Sequence, residues 1–362
     1  MNQFKDWQFR ENIMINAYTS PTLLAVNSTS HKNQFKDAFG VCCEMMFDPT
    51  FDQPVLDQER EVVLREITER RGDPEYIVYF HTMNQIFQKG SLDRHETLGK
   101  SECVAETSVD NLNRLHKSAL SQSQVVISVT GGGIDLGFIE KTVQEYLDRN
   151  LKALAISDRK QLDFQPSNIL KNNFRFMPIV HEQAHEQVSL SVFIPCDVSF
   201  DNWPTLRVFE ELFLKYYGKL YGVLRDEKGF VYGLHSTFRH DTQNLELNLS
   251  CETKYVQPII EEIKKVFANF EDNFEIKKLN ELKKILELKV DLSSDSPTSI
   301  NHFINQNLFT FGQFQSFENY EKRFESVGEE NIKVIYNQIQ AGLSTMQIVA
   351  VSKDTTIDKI DL

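Results

Sequence analysis

Residues 231–251 read VYGLHSTFRHDTQNLELNLSC, and their pattern decides the fold class. Two strand-like runs, VYGLHSTF (231–238) and LELNLSC (245–251), follow one another with no helical stretch between them. Strict alternation of strand and helix around a parallel sheet would not give this order. Outward from that pair, strand-like SLSVFIP (189–195) precedes the helical run TLRVFEELFLKYY (205–217), several further helices follow, and MQIVAVS (346–352) closes the half as a strand. The first half has a similar order. INAYTS (15–20) and LLAVNSTS (23–30) read as strands and about 33–47 as a helix. A long charged helix over about 53–71 is closed by Gly72-Asp73-Pro74. Helical stretches around 76–88 and 108–120 come next. VVISVT (125–130) then reads as a strand, Gly131 to Gly133 as a turn, and an amphipathic helix runs through about Asn150. The expectation is an α+β protein of two similar domains, each a mixed or antiparallel sheet with helices packed mainly on one face. Residues 151–172 are polar and aperiodic, which places an N-terminal domain at 1–155, a linker at 156–172 and a C-terminal domain at 173–362.

Composition excludes several classes. The 362 residues are 41% hydrophobic and 25% charged, and 15 Gly with 10 Pro are too few for a low-complexity chain. A net charge of -13 opposes a broad basic surface for phosphate backbones, so no nucleic-acid partner is expected. No run of about 18 apolar residues exists, so no membrane-spanning helix is expected. Lys5, Asp6, Arg10 and Glu11 stand where a secretory leader needs an apolar core. Five cysteines without a CxxC pair suit free thiols in a reducing cytoplasm.

Three segments could carry chemistry. In QPVLDQEREVVLREITERR (53–71), Glu59 and Glu66 are two helical turns apart and share a face with Val62 and Val63. Carboxylates on an apolar stripe are candidates for a metal ligand and a neighbour that orients it; alternatively, Glu66 pairs with Arg70 and Glu59 sits at the stripe's edge. In RDEKGFVY (225–232), Gly229 reads as a left-handed helix cap, which turns the chain so that Arg225 and Tyr232 can converge. A guanidinium and a phenol together can hydrogen-bond a carbonyl oxygen and stabilise charge developing on it. The bland alternative is a solvated last-turn cation and an ordinary strand aromatic. HEQAH (His181, Glu182, His185) matches HExxH, which binds zinc only on a helix. Flanked by β-rich FMPIV and VSLSVFIP, it is expected in a strand or turn instead. The glycines at 131–133 lack GxGxxG spacing, there is no Walker A sequence or GxSxG elbow, and the 27 Phe residues are spaced as helix cores.

Taken together these segments resemble the insulinase/pitrilysin family of inverted-zincin metallopeptidases, which includes mitochondrial processing peptidase. NAYTS (16–20) looks like the family's substrate-pairing strand, EREVVLREI (59–67) like its third-ligand helix and RDEKGFVY (225–232) like its second-domain Arg/Tyr corner. The resemblance implies Glu66 as the third zinc ligand with Glu59 as its acidic neighbour. It implies Asn16 and Ala17 on an edge strand that binds peptide by strand addition, and Arg225 and Tyr232 approaching the scissile carbonyl. The family's HxxEH, which supplies two zinc-binding histidines and the general base, is not in these 362 residues. Counting back roughly 75 residues from Glu66 would put it about ten residues ahead of Met1. Truncation or genuine loss are the two explanations.

The expected function is therefore a zinc metalloendopeptidase family protein acting on enclosed peptides, inactive alone, with zinc held tightly only in a complete enzyme. Its partners would be a peptide substrate and a second chain, as a homodimer or with a related subunit. The alternative is a non-catalytic peptide-binding or structural subunit that complements a zinc-bearing chain. The first domain is expected to expose an unpaired sheet edge and to be less stable than the second. A zincin using His181 and His185 would require a helix there.

Overall fold

The computed structural model describes residues 2–20, 22–89, 91, 94, 96–123, 125–150 and 174–360; the linker expected at 156–172 lies outside them. In chain order the elements are α1 (Asn2–Glu11), β1 (Met14–Thr19), β2 (Leu24–Thr29), α2 (Phe35–Phe47), α3 (Gln53–Arg71), α4 (Pro74–Ile86), α5 (Ser101–Ala105), α6 (Val109–Gln122) and α7 (Leu136–Asn150). The second half supplies β3 (Phe176–Val180), β4 (Val188–Pro195), α8 (Trp203–Phe213), a short α9 (Lys219–Tyr221), β5 (Val231–Arg239), β6 (Asn244–Cys251), α10 (Val256–Val266), α11 (Ile276–Ser294), α12 (Pro297–Phe311), α13 (Phe317–Glu325), α14 (Glu329–Gly342) and β7 (Gln347–Ser352). The chain is α+β with an antiparallel and a mixed sheet, as the order of runs predicts. It divides into two compact units, the first of 1–69, 95–163 and 297–302, the second of 70–94, 164–296 and 303–362.

In the first unit β1 and β2 form a two-stranded antiparallel hairpin with Asn16 opposite Asn27 and Ala17 opposite Val26. Apolar side chains recur at three and four along α2, so Phe39, Cys43 and Phe47 form one buried stripe. Phe138, Tyr146 and Leu147 of α7 pack against it, with Phe39 and Phe138 ring centroids 6.1 Å apart. Ser108 caps α6 by accepting from the Asn111 amide. Residues 125–130, expected as a strand, make no ladder. β-propensity alone does not form a strand; here side chains take backbone groups instead, Asn301 Nδ2 donating to the Ser128 carbonyl at 3.1 Å.

The second unit is built on a five-stranded sheet of order β3-β7-β4-β6-β5, parallel only between β3 and β7. Its central strands β4 and β7 alternate strictly. Val188, Leu190, Val192 and Ile194 of β4 with Ile348 and Ala350 of β7 face one core, where α8, α10 and α14 pack. Val256, Ile259, Ile260, Ile263 and Val266 give α10 its buried face, and the Tyr336 hydroxyl of α14 donates to the Val266 carbonyl at 2.7 Å. The intervening residues Phe193, Val349 and Val351 face the other side, where Ile77, Met83, Ile86 and Phe87 bring α4 onto the sheet. Asp73 caps α4 by accepting from the Glu75 amide, with Pro74 in its first turn. The cysteines Cys42, Cys43, Cys103, Cys196 and Cys251 are all free. No described helix is long and apolar enough to cross a membrane.

Candidate peptide-binding edge and Arg/Tyr corner

The amide of Ser20 donates to the Leu23 carbonyl at 2.7 Å, which makes these two a hydrogen-bonded pair of the hairpin. Such pairs alternate along an antiparallel ladder, so Asn16 and Tyr18 direct their main-chain groups toward β2 while Ile15, Ala17 and Thr19 direct theirs away. Two contacts agree: Gln8 Nε2 donates to the Ile15 carbonyl at 3.4 Å, and the Ala17 amide is satisfied locally by Asn16 Oδ1 at 2.9 Å. Among the described residues no strand pairs with that side of β1. The edge strand named by the sequence thus presents main-chain donors and acceptors at Ala17 and Thr19, and the Asn16 side chain covers one of them. Asn16 and Ala17 are both exposed. Which residues point outward was not readable from the sequence, because it depends on hairpin register.

Glu59 and Glu66 lie on α3, Glu59 half-buried and Glu66 exposed. The helix buries only Ile67, and no hydrogen bond or ion pair is formed by either glutamate among the described residues. The Glu66–Arg70 pair is not formed; the Arg70 guanidinium lies 5.1 Å from the Tyr76 ring centroid instead. No group of three or more His, Cys, Asp or Glu able to hold a metal occurs among the described residues. A catalytic zinc takes about three protein ligands. One exposed carboxylate without an imidazole does not fit it.

Arg225 and Tyr232 do come together. Residues 222–227 form a π-turn, with the Lys228 amide donating five residues back to the Val223 carbonyl at 3.1 Å. Gly229, at φ +63°, then reverses the chain into β5 with no Cβ penalty. On β5, Val231 is opposite Cys251 but Leu234 is opposite Leu249, so a bulge places one extra residue at Tyr232-Gly233. The bulge sits on an edge strand and aims Tyr232 outward, 80% exposed. Arg225 Nη1 donates to the Val231 carbonyl at 3.1 Å, and the guanidinium carbon lies 4.7 Å from the Tyr232 ring centroid. That bond leaves other guanidinium donors unused, and the phenol is without a protein partner among the described residues. The corner can therefore offer both groups to one carbonyl oxygen.

Sequence reasoning missed the scaffold beneath this corner. Glu210 of α8 is 2% exposed and accepts from Arg207 Nη1 at 2.6 Å and from Ser236 Oγ at 2.8 Å, with Lys215 Nζ at 3.1 Å. Ser236 is on β5, so this buried network ties the strand bearing Tyr232 to the core. A Glu inside an apolar helical run, LRVFEELF, was its only signal.

HEQAH occupies the turn between β3 and β4 and is not helical. Its histidines serve different partners. His185 Nε2 is 3.1 Å from Glu75 Oε1, whereas the His181 ring lies 4.9 Å from that of His81. The Gln183 amide donates to His181 Nδ1 at 3.3 Å, which leaves the proton of the neutral ring on Nε2. A shared metal between His181 and His185 has no geometric basis. His81 is held below its ordinary value by burial first and by His181 second.

With this geometry established, four similarities are informative. Residues 107–286 match the family model described as peptidase M16 inactive domain. The uncharacterized zinc protease YmxG of Bacillus subtilis is 22% identical over 339 residues, covering 90% of this chain and 78% of that protein. A protease from Helicobacter pylori, of known structure, superposes with a TM-score of 0.72 at 15% identity, covering 97% of this chain and 84% of that one. A probable mitochondrial-processing peptidase subunit beta from Arabidopsis thaliana is 26% identical over 117 residues, 32% of this chain and 22% of that protein.

Proposed function

We infer, because this chain belongs to the peptidase M16 family, that it is a peptide-binding member of a zinc metalloendopeptidase system. We infer also that these 362 residues do not hydrolyse peptides alone. The observation that carries the reading is the outward-facing main chain of β1: an extended peptide can add to Ala17 and Thr19 as a third strand, whatever its side chains. Asn16 gives up the Ala17 amide when the peptide carbonyl arrives, and its own amide becomes available to the peptide. At the corner, Arg225 and the Tyr232 phenol hydrogen-bond a peptide carbonyl oxygen and stabilise negative charge that builds on it. The described donor set does not fit a catalytic zinc by itself, so Glu66 with its neighbour Glu59 contributes only to a site completed by other residues. The name of the Arabidopsis relative, a subunit, supports assembly with a related chain, and five free thiols support a reducing compartment.

The test is binding of a fluorescent, unstructured peptide of about twelve residues to the purified chain, beside the same peptide N-methylated at alternate amides and beside Ala17→Pro. Proline at an outward position removes an edge donor without touching the β1–β2 ladder. Weaker binding in both controls, with an unchanged circular dichroism spectrum, is the expected result. Equal affinity for all three would refute strand addition.

A further inference from the structure

Two histidines from different elements meet within the second unit, His81 of α4 and His181 of the turn between β3 and β4. Their ring centroids lie 4.9 Å apart, with the planes tilted by 50°. Two imidazoles that share one tetrahedral ion, each at a metal–nitrogen distance of about 2.0–2.1 Å, have ring centroids roughly 5 Å apart. Both rings are half-buried, and no carboxylate is bonded to either among the described residues. This separates them from His185, whose Nε2 faces Glu75 Oε1.

The pair is held on rigid parts of the unit. Ile77, Met83, Ile86 and Phe87 anchor α4 on the sheet. The turn is pinned at both ends to the end of β7: the His181 amide donates to the Ser352 carbonyl at 2.9 Å, and the Lys353 amide donates to the His185 carbonyl at 3.0 Å. Ligands fixed in this way need little rearrangement to take up an ion. Lys353 Nζ, the cation that follows β7, is 2.7 Å from Glu186 Oε1, so its charge is offset.

The protonation states suit a metal. Burial first and His181 second hold His81 below its ordinary value, so its ring is neutral at pH 7 and carries a lone pair. No described residue hydrogen-bonds a nitrogen of that ring. His181 accepts from the Gln183 amide through Nδ1. Ligation by either nitrogen of His181 gives up that bond, since the ring must then keep its proton on Nδ1 or spend that lone pair on the ion. The loss is small: the bond is exposed and 3.3 Å long, and water replaces it. Zinc, copper and nickel are the divalent ions that imidazole suits.

We propose that His81 and His181 form a two-histidine site for a divalent ion of that class, which ties α4 to the β3–β4 turn. Among the described residues no third His, Cys, Asp or Glu joins them, so water fills the other positions and the ion exchanges readily. The site is separate from Glu66, which belongs to the first unit, and it does not depend on the peptide-binding reading at β1.

Calorimetric titration of the full chain with zinc chloride as the probe tests it, beside His81→Gln, His181→Gln and His185→Gln. The expected result includes a component of one ion per chain with a Kd on the order of 10 μM. That component should weaken at least tenfold in either of the first two variants and persist in the third. A tenfold excess of zinc over Kd should raise the melting temperature of the unaltered chain by about 3–5 °C and leave those two variants unmoved. Circular dichroism without zinc checks that each variant folds, and either of the two is sufficient for the test. Absence of binding in the unaltered chain overturns the proposal. So does affinity that is unchanged in His81→Gln or in His181→Gln, or that falls only in His185→Gln, since a shared ion needs both rings.

Discussion

Replacing Phe39 by Ala is expected to unfold the first unit and leave the second folded. Among the described residues, the buried apolar ones of that unit are Ile13, Ala38, Phe39, Cys43, Phe47 and Ile67, and its strands form one hairpin with Met14, Tyr18 and Leu24 exposed. A two-stranded sheet is marginal by itself, so most of the unit's stability rests on the α2–α7 contact. Phe39 is 8% exposed, and its ring centroid lies 5.7 Å from that of Phe35 and 6.1 Å from that of Phe138. Truncating such a ring costs about 3–5 kcal/mol, whereas a unit with so small a core holds only a few kcal/mol in total. The second unit has a five-stranded sheet covered on both faces and does not share this cluster. Hydrogen exchange with mass spectrometry gives the readout. Amides of 35–47 and 136–147 should lose protection in the variant while 188–195, 244–251 and 347–352 keep theirs. Simultaneous loss in β4, β6 and β7 would refute the independence of the units, and unchanged protection in α2 would refute the weight placed on this core.

Gly342→Ala should destabilise the second unit by about 1–3 kcal/mol, because a Cβ there would sit 2.9 Å from Ile194 Cγ2 and closer still to the Pro195 carbonyl; thermal melting checks it, and an unchanged transition would count against the close helix–strand approach. Burial pushes Cys196 and Cys251 from 9.0 to about 12, with smaller charge contributions from Asp197 and Glu252 respectively. Their folded values lie above the unfolded one, so their contribution to stability is complete below pH 9.0 and is lost as the pH rises through that value toward about 12. Melting temperature should fall over that window, less steeply in a Cys196→Ala, Cys251→Ala double variant; identical slopes would contradict the assignment. Tyr232→Phe, at an 80% exposed position, should change stability by less than about 0.5 kcal/mol yet weaken peptide turnover by a reconstituted zinc-bearing assembly at least tenfold. Full turnover would remove the phenol from the chemistry.

Much of the fold was legible because the second unit's strands alternate faces and its helices repeat at three and four, both local signals. The run 125–130 failed for the opposite reason: its residues favour a strand, but a strand exists only if another pairs with it, and pairing is not local. The corner was legible in part. Gly229 announced the chain reversal between Arg225 and Tyr232, while the π-turn and the bulge that aim the two side chains depend on how the turn is packed and on the register with β6. HEQAH shows the value of context. Its neighbours are strand-forming and include Pro178, and the structure holds its two histidines to different partners. Glu66 was singled out by spacing on α3, which sets a face but cannot say what stands opposite it.

The central claim, that β1 receives a peptide as an added strand, is tested most directly by amide-resolved hydrogen exchange with and without saturating peptide. The account predicts added protection at Ala17 and Thr19, whose amides face away from β2, and none at Asn16 and Tyr18, which are already paired. Uniform protection along β1, or protection confined to other segments, would contradict it.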